Sequence, residues 1–202
     1  MKIVLGSSSP RRKALLEEAG FAFSILTGEA EELTLPGEGE KTALINAGKK
    51  ALAAGELFAE TLSEPLPEET LILGADTLIE AEGRILGKPA SKEEAFSFLS
   101  FLSGKTHKVI TGVGLLFLPA GFCKGDKLPP VKDFAETTFV TFQELSPERI
   151  EEYMEKVPVL DKAGAYAIQE HGELILAKME GDLDNVIGLP VKALKKYLSL
   201  RG

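Results

Sequence analysis

The apolar runs of this chain are short, and each breaks off at a polar segment. Residues 2–6 form a run of strand length that stops at Ser7-Ser8-Ser9. Ser9-Pro10 then has the form of a helix start, with Ser at the cap and Pro at the first helical position. The predicted helix runs to Ala19 with Ala14, Leu15 and Ala19 on its apolar side, and Gly20 ends it. Residues 21–26 predict a second strand, 28–40 an acidic loop, 41–59 an Ala-rich helix and 60–69 a Pro-containing connection. Residues 70–75 predict a buried strand that ends at Asp76. Residues 78–81 and 84–86 flank Glu82-Gly83 as a tight hairpin.

Ser91 with Glu94 forms a capping box for a helix to Leu102. Residues 108–118 and 133–142 predict two long strands around a Gly/Pro-rich connection. Ser146-Pro147 starts a helix to about Lys156; 173–179 predicts a strand and 191–200 a terminal helix. The order is mixed α and β around one sheet, an α/β class, with one domain spanning 1–202 and no internal repeat.

Size and charge narrow the picture. A chain of 202 residues with 44% hydrophobic content can bury one ordinary core, with room for two lobes. One cysteine, Cys123, allows no intrachain disulfide, which fits a reducing compartment. No apolar run has the length of a membrane span, and the one after the N-terminus is too short for a signal-peptide core, so the expectation is a cytoplasmic, soluble protein without a membrane partner. The formal net charge of −8 argues against nucleic acid, whose binding gains from neutralising phosphates with Lys and Arg. It also repels a free triphosphate, so a nucleotide site needs a local cationic cluster, a divalent metal, or both.

Four polar motifs stand at the ends of apolar runs: residues 7–12, 74–77, 87–89 and 161–169. In the first, the helix N-terminus attracts phosphate, and the hydroxyls of Ser7 and Ser9 add donors. Arg11 and Arg12 oppose the helix dipole there, the kind of broken local rule that marks function. An ordinary cap followed by two solvated arginines fits the segment equally well. Asp76 can hold Mg²⁺ or Mn²⁺ or take a proton from water, and taken alone it also reads as an Asp that turns the chain. Glu29, Glu31 and Glu32 offer a second carboxylate, although a charge run is usually solvated. Lys50 and Lys88 are candidates for phosphate oxygens, and Gly87 and Pro89 would aim Lys88.

In residues 161–169, Ala163, Gly164 and Ala165 allow close backbone approach beside Asp161, Lys162 and Gln169. Gln169 follows an apolar stretch, so its amide is expected to be half-buried. Such an amide can pair with the acceptor–donor–acceptor edge of uracil or thymine, or tie down a loop. His107 and His171 lack zinc-ligand spacing, and no Ser-His-Asp order is present.

The Ser7-Ser8-Ser9-Pro10-Arg11-Arg12 opening, Leu102-Ser103-Gly104-Lys105-Thr106-His107, the 161–169 string and Asn185-Val186-Ile187-Gly188-Leu189-Pro190 resemble the Maf family of nucleotide pyrophosphatases almost end to end. The resemblance implies metal-dependent hydrolysis of a nucleoside triphosphate to monophosphate and pyrophosphate. It also implies a mixed α/β fold of two lobes with a cleft between them. By resemblance Asp76 is the proton acceptor, Glu32 a metal-associated acid, Lys50 and Lys88 line the triphosphate cleft, and Ser9 and Arg12 contact phosphate. Arg11, Thr77 and Gln169 match the positions that separate branches of the family, and they resemble the branch acting on dTTP and UTP. Gly6, Leu183 and Gln169-Glu170-His171-Gly172 depart from the family's usual pattern. A pyrophosphatase for other, modified nucleotides and a regulatory nucleotide-binding protein linked to septum formation are the alternatives. A homodimer is left open.

Overall fold

The computed structural model describes residues 1–201. Its elements follow in order: β1 (Lys2–Leu5), α1 (Pro10–Glu18), β2 (Phe23–Ile25), α2 (Gly39–Glu60), β3 (Thr70–Ala81), β4 (Arg84–Leu86), α3 (Lys92–Leu102), β5 (Thr106–Leu118), β6 (Lys132–Phe142), α4 (Pro147–Lys156), β7 (Leu176–Glu180), α5 (Leu183–Ile187) and α6 (Val191–Ser199). Short 3-10 turns lie at Val159–Asp161, Ala163–Ala165 and Gly172–Leu174. The strands form one mixed sheet in the order β2-β1-β3-β5-β6-β7, with β4 paired to β3. β2, β1 and β3 run parallel, and the remaining pairs are antiparallel. Among the described residues, no helix is long and apolar enough to cross a membrane.

β3 organises the molecule. Its sequence Thr-Leu-Ile-Leu-Gly-Ala-Asp-Thr-Leu-Ile-Glu-Ala is buried along nearly its whole length. It pairs with β5 in unbroken register from Thr70↔Leu118 to Glu80↔Lys108. Successive side chains alternate between faces. On one face Leu71, Leu73 and Ala75 join a core with Leu15 and Leu16 of α1 and Val191 and Leu194 of α6. Farther along that face Ile79 and Ala81 join a different core, under Ala95, Leu99 and Leu102 of α3 and Ile150 and Tyr153 of α4. Thr77 falls between the two cores. This break is the physical content of the expected two lobes.

The other face of β3 is covered by α2. Glycines permit the close approach: a Cβ on Gly74 would lie 2.3 Å from the Ala47 carbonyl oxygen, and one on Gly114 would lie 2.6 Å from the same atom. With Ala43, Ala47, Ala51 and Ala54 facing the sheet, α2 lies against it. Burying these small apolar faces contributes roughly 25 cal/mol per Å².

Some sequence expectations need correction. Asp76 does not end its strand; β3 continues five residues beyond it to Ala81, because β5 carries the ladder past it and α2 satisfies the carboxylate. The last strand begins at Leu176 rather than 173, since Gly172–Leu174 is a 3-10 turn entered through His171 at φ 54°. Leu16, not Ala14, shares the buried face of α1 with Leu15. Ser9 precedes α1 but makes no side-chain capping bond. The capping box of α3 closes one residue early: Ser91 Oγ accepts from Glu94 N at 3.2 Å, while Glu94 Oε2 accepts from Ala90 N at 2.6 Å.

Candidate active site

The sheet has a gap where the site forms. β1 covers the edge of β3 over Thr70–Leu73, and β4 covers it over Ile79–Ala81. Residues 74–78 have no strand on that side, and a cleft of about 760 Å³ opens there. β1 delivers the Ser7-Ser8-Ser9 turn and the N-terminus of α1 to the gap, anchored by Gly6 N donating to Leu73 O at 2.8 Å. The cleft is lined by five cations (Arg11, Arg12, Lys50, Lys88, Lys162) and three carboxylates (Glu32, Asp76, Asp161), in a chain of net charge −8. The local cationic excess required for a polyphosphate is therefore present.

On the α2 side, Asn46 and Lys50 stand one turn apart and reach Asp76 together. Lys50 Nζ meets Asp76 Oδ1 at 2.7 Å, and Asn46 Nδ2 donates to Asp76 Oδ2 at 3.0 Å. Asp76 is 8% exposed, and these two partners satisfy its buried carboxylate. The same ammonium meets Glu32 Oε1 at 2.6 Å. The acidic loop is tied down by α2: Asn46 pairs with both Leu33 N and Leu33 O, and Thr42 Oγ1 accepts from Leu35 N at 3.1 Å. Of the three candidate glutamates, this brings in Glu32. Glu31 and Glu29 are exposed outside the cleft, and Glu29 borders a separate hollow of about 670 Å³. Burial pushes the Glu32 carboxyl up, but the Lys50 bond and the charges of Lys50, Lys88 and Arg12 outweigh it and hold Glu32 below its ordinary value.

On the α1 side the chemistry is neutral and directional apart from the guanidinium groups of Arg11 and Arg12. Arg12 donates from Nε to Gly188 O at 2.8 Å, from Nη1 to Ser7 Oγ at 3.0 Å and from Nη2 to Thr77 Oγ1 at 3.3 Å. Desolvation pulls its pKa down, opposed by Asp76. The placement of two arginines in the first turn is thereby explained: Arg12 ties three chain segments together, and Arg11 reaches across the cleft to Asp161 Oδ2 at 3.2 Å.

The 161–169 string forms the far wall. Asp161 is held below its usual pKa by Lys162 and Arg11 despite the opposing effect of burial. Lys162 is 2% exposed, with its ammonium on Pro158 O at 2.7 Å, Asp161 Oδ1 at 2.9 Å and Glu170 Oε1 at 3.4 Å. It secures the string from within. Gly164, at φ 65°, donates its N–H to Gly87 O at 2.9 Å, which sets the turn carrying Lys88 beside the string. Lys88 is exposed and makes no ion pair among the described residues. Gln169 lines the cleft and is exposed rather than half-buried, with no hydrogen bond to its amide. The groups of Lys88, Gln169 and Ser9 are thus unengaged, whereas Asp76, Glu32 and Arg12 are already positioned.

The match to known families agrees with this architecture: the family model for Maf-like proteins covers residues 2–200. The chain belongs to the Maf-like protein family. It is 45% identical over 197 residues to a dTTP/UTP pyrophosphatase of Akkermansia muciniphila, covering 98% of this chain and 95% of that protein. It is 43% identical to a dTTP/UTP pyrophosphatase of Caldanaerobacter subterraneus subsp. tengcongensis, over 96% of this chain and 86% of the relative. A third, from Moorella thermoacetica and also named dTTP/UTP pyrophosphatase, is 42% identical over 100% of this chain and 95% of its own length.

In this Maf-like chain the structure adds two residues that the sequence did not mark, Asn46 and Thr111, and gives contacts to Asn185 and His107, which stood in the family motifs without a role. Asn46 could have been found from its i, i+4 spacing to Lys50. Thr111 and Asn185 are fully buried polar residues behind Thr77. His107 Nε2 lies 2.7 Å from Tyr166 Oη, and burial holds its imidazole down to about 4. This pair, edge-on to Phe142, pins the string to β5.

The donor set suits a small divalent ion. Two carboxylates, Glu32 and Asp76, converge on one cationic centre, the Lys50 ammonium. No group of three or more His, Cys, Asp or Glu side chains is arranged to hold a metal among the described residues. Mg²⁺ is commonly held by one or two carboxylates plus substrate phosphates rather than by a complete protein cage.

Proposed function

We propose that this protein is a nucleoside triphosphate pyrophosphatase that hydrolyses dTTP and UTP to the nucleoside monophosphate and pyrophosphate, clearing nucleotides from the pool. The reading is supported by the relatives named above. The observation that carries it is the union, in one cationic cleft, of the Asp76–Lys50–Glu32 cluster with the N-terminus of α1 and an unengaged Lys88.

The reaction joins a water oxygen to the α-phosphorus and breaks the bond from that phosphorus to the oxygen bridging to the β-phosphate. Asp76 takes the proton of the attacking water. Each of its oxygens already accepts one bond, and a carboxylate has about four acceptor positions, so a further one remains for the water. Lys50 aims Asp76 through its contact with Oδ1. Arg12, Lys88 and the free N–H groups of α1 neutralise the charge that collects on the departing pyrophosphate. Ser9, whose hydroxyl does not cap the helix, is available as a donor to phosphate. Mg²⁺ or Mn²⁺ held by Glu32 and Asp76 would supply Lewis-acid polarisation of the phosphoryl oxygens. Arg11, Thr77 and Gln169 face the cleft where a base would be selected. The test is pyrophosphate release from a panel of triphosphates with Asp76→Asn as control; release from dTTP and UTP that the variant loses is the expected result, and no release from either overturns the reading.

A further inference from the structure

We propose that Thr111, which does not line the cleft, determines base preference by fixing Thr77 as a hydrogen-bond acceptor. This deepens the dTTP/UTP reading and rests on it. Thr77 and Thr111 are direct cross-strand partners of β3 and β5, so their side chains share a face. Their hydroxyl oxygens are 2.9 Å apart. Thr111 is 0% exposed, and its Oγ1 also lies 2.9 Å from the carbonyl oxygen of Asn185.

The direction of the chain follows from counting protons. A hydroxyl has one donor and two acceptor positions. The Asn185 carbonyl can only accept, so Thr111 donates its one proton there. Thr111 then has none for Thr77, and Thr77 must donate to Thr111. Arg12 Nη2, which has only donors, fills a lone pair of Thr77 Oγ1 at 3.3 Å. What remains toward the cleft is acceptor capacity alone.

The Asn185 carbonyl is itself held in place. Asn185 Nδ2 donates to Val109 O at 3.1 Å and to Thr138 Oγ1 at 3.0 Å. The N–H of Leu189, four residues on, bonds Asp184 O and leaves the Asn185 carbonyl to Thr111. Gly188 closes another side: a Cβ there would sit 3.5 Å from Thr77 Oγ1. Reversing the Thr77 hydroxyl would strand a buried carbonyl or a buried hydroxyl, which is the expensive outcome for a polar group without water.

An acceptor-only group cannot bind phosphate oxygens. It fits a donor, and uracil and thymine present one at ring N3–H, where cytosine presents an acceptor. The Gln169 amide, with donors and an acceptor, can serve the flanking carbonyls.

The test compares kcat/KM for UTP, CTP and dUTP in the wild type, Thr111→Val, Thr111→Ala and Thr111→Ser, with Kd for UMP and CMP measured on the same proteins. Freed of its partner, Thr77 can donate to the cleft. Thr111→Val and Thr111→Ala should therefore lower the UTP:CTP and UMP:CMP preference by about tenfold, the scale of one hydrogen bond exchanged for a mismatch. Thr111→Ser, which keeps the hydroxyl, should retain the wild-type ratios, and UTP:dUTP should not move. Unchanged UTP:CTP and UMP:CMP ratios in Thr111→Val and Thr111→Ala overturn the proposal, as does a shift in UTP:dUTP instead. A wild type that releases no pyrophosphate overturns the parent reading, while the UMP:CMP binding ratio still decides the role of Thr111.

Discussion

The two faces of β3 at residues 76 and 77 meet the same cleft with opposite kinds of chemistry. Toward α2, Asp76 sits in a charged cluster in which one ammonium serves two carboxylates. Toward α1, Thr77 sits in a directional hydroxyl chain that ends on a backbone carbonyl. Charge is strong and tolerant of angle, which suits stabilising a transition state. A hydroxyl chain is weaker and polarised, which suits telling a donor from an acceptor on a base. Strand alternation places both functions on adjacent residues while separating their supports, so each should be damaged without the other.

The largest effect that would break this division is on turnover. Asp76→Asn should lower kcat by about 10³-fold or more with little change in the preference among bases, measured by pyrophosphate release on protein whose circular dichroism is intact. Equal loss of base preference would mean that the two faces are not separable.

Lys50→Met should lower kcat/KM by about 10²-fold and also move the acid limb of the pH–rate profile. In the wild type Glu32 is held below 4.5 by Lys50, Lys88 and Arg12. That depressed value contributes stability above 4.5 which is lost as pH falls through the folded-state pKa. Without Lys50, two carboxylates face one another, so the acid limb should shift to higher pH. An unmoved limb would remove Lys50 from the cluster's electrostatics.

The string across the cleft offers a sharper test of support. His107 is 2% exposed and held at about 4, against an ordinary value of 6.5. Between those values the unfolded chain binds a proton that the folded chain refuses, so stability falls as pH drops from 6.5 to 4. The full span is worth about 3 kcal/mol at 1.36 kcal/mol per unit. His107→Gln should flatten that part of the curve of melting temperature against pH. A wild-type curve without that slope would contradict the buried neutral His–Tyr pair.

The smallest expected effect is at Gln169. Its amide is exposed and unengaged, so Gln169→Ala should leave stability unchanged and reduce the preference for UTP over CTP by about tenfold. A comparable fall in kcat for every base would move Gln169 from selection to chemistry.

Much of this arrangement was legible in the chain because local signals and chemistry coincide. Pro10 after Ser9 marks the start of α1, and Arg11 and Arg12, out of place in a first turn, both line the cleft. Apolar runs gave the strands and the lobed α/β order. The failures share a cause. Asp76 looked like a strand end because its partners, Lys50 and Asn46, lie 26 and 30 residues away and local pattern cannot show them. Charge pattern alone did not separate Glu32, which the family resemblance singled out, from Glu29 and Glu31, since tethering by Asn46 and Thr42 makes the physical choice. The five-residue α5 is too short to show a period, yet it follows an Asp182 cap, and its Asn185 carbonyl and the Gly188 carbonyl just after it set the Thr111 and Arg12 contacts. Thr111, a single Thr in an apolar run, carries no signal until Thr77 is seen opposite it.

The most direct test of the central claim is pyrophosphate release from dTTP, UTP, CTP and GTP with Mg²⁺ or Mn²⁺, run in parallel on the wild type and Asp76→Asn. The account predicts metal-dependent release, fastest from dTTP and UTP, and its loss in the variant. Tight nucleotide binding with no pyrophosphate from any triphosphate, by folded protein with metal present, would contradict it and favour a regulatory nucleotide-binding role.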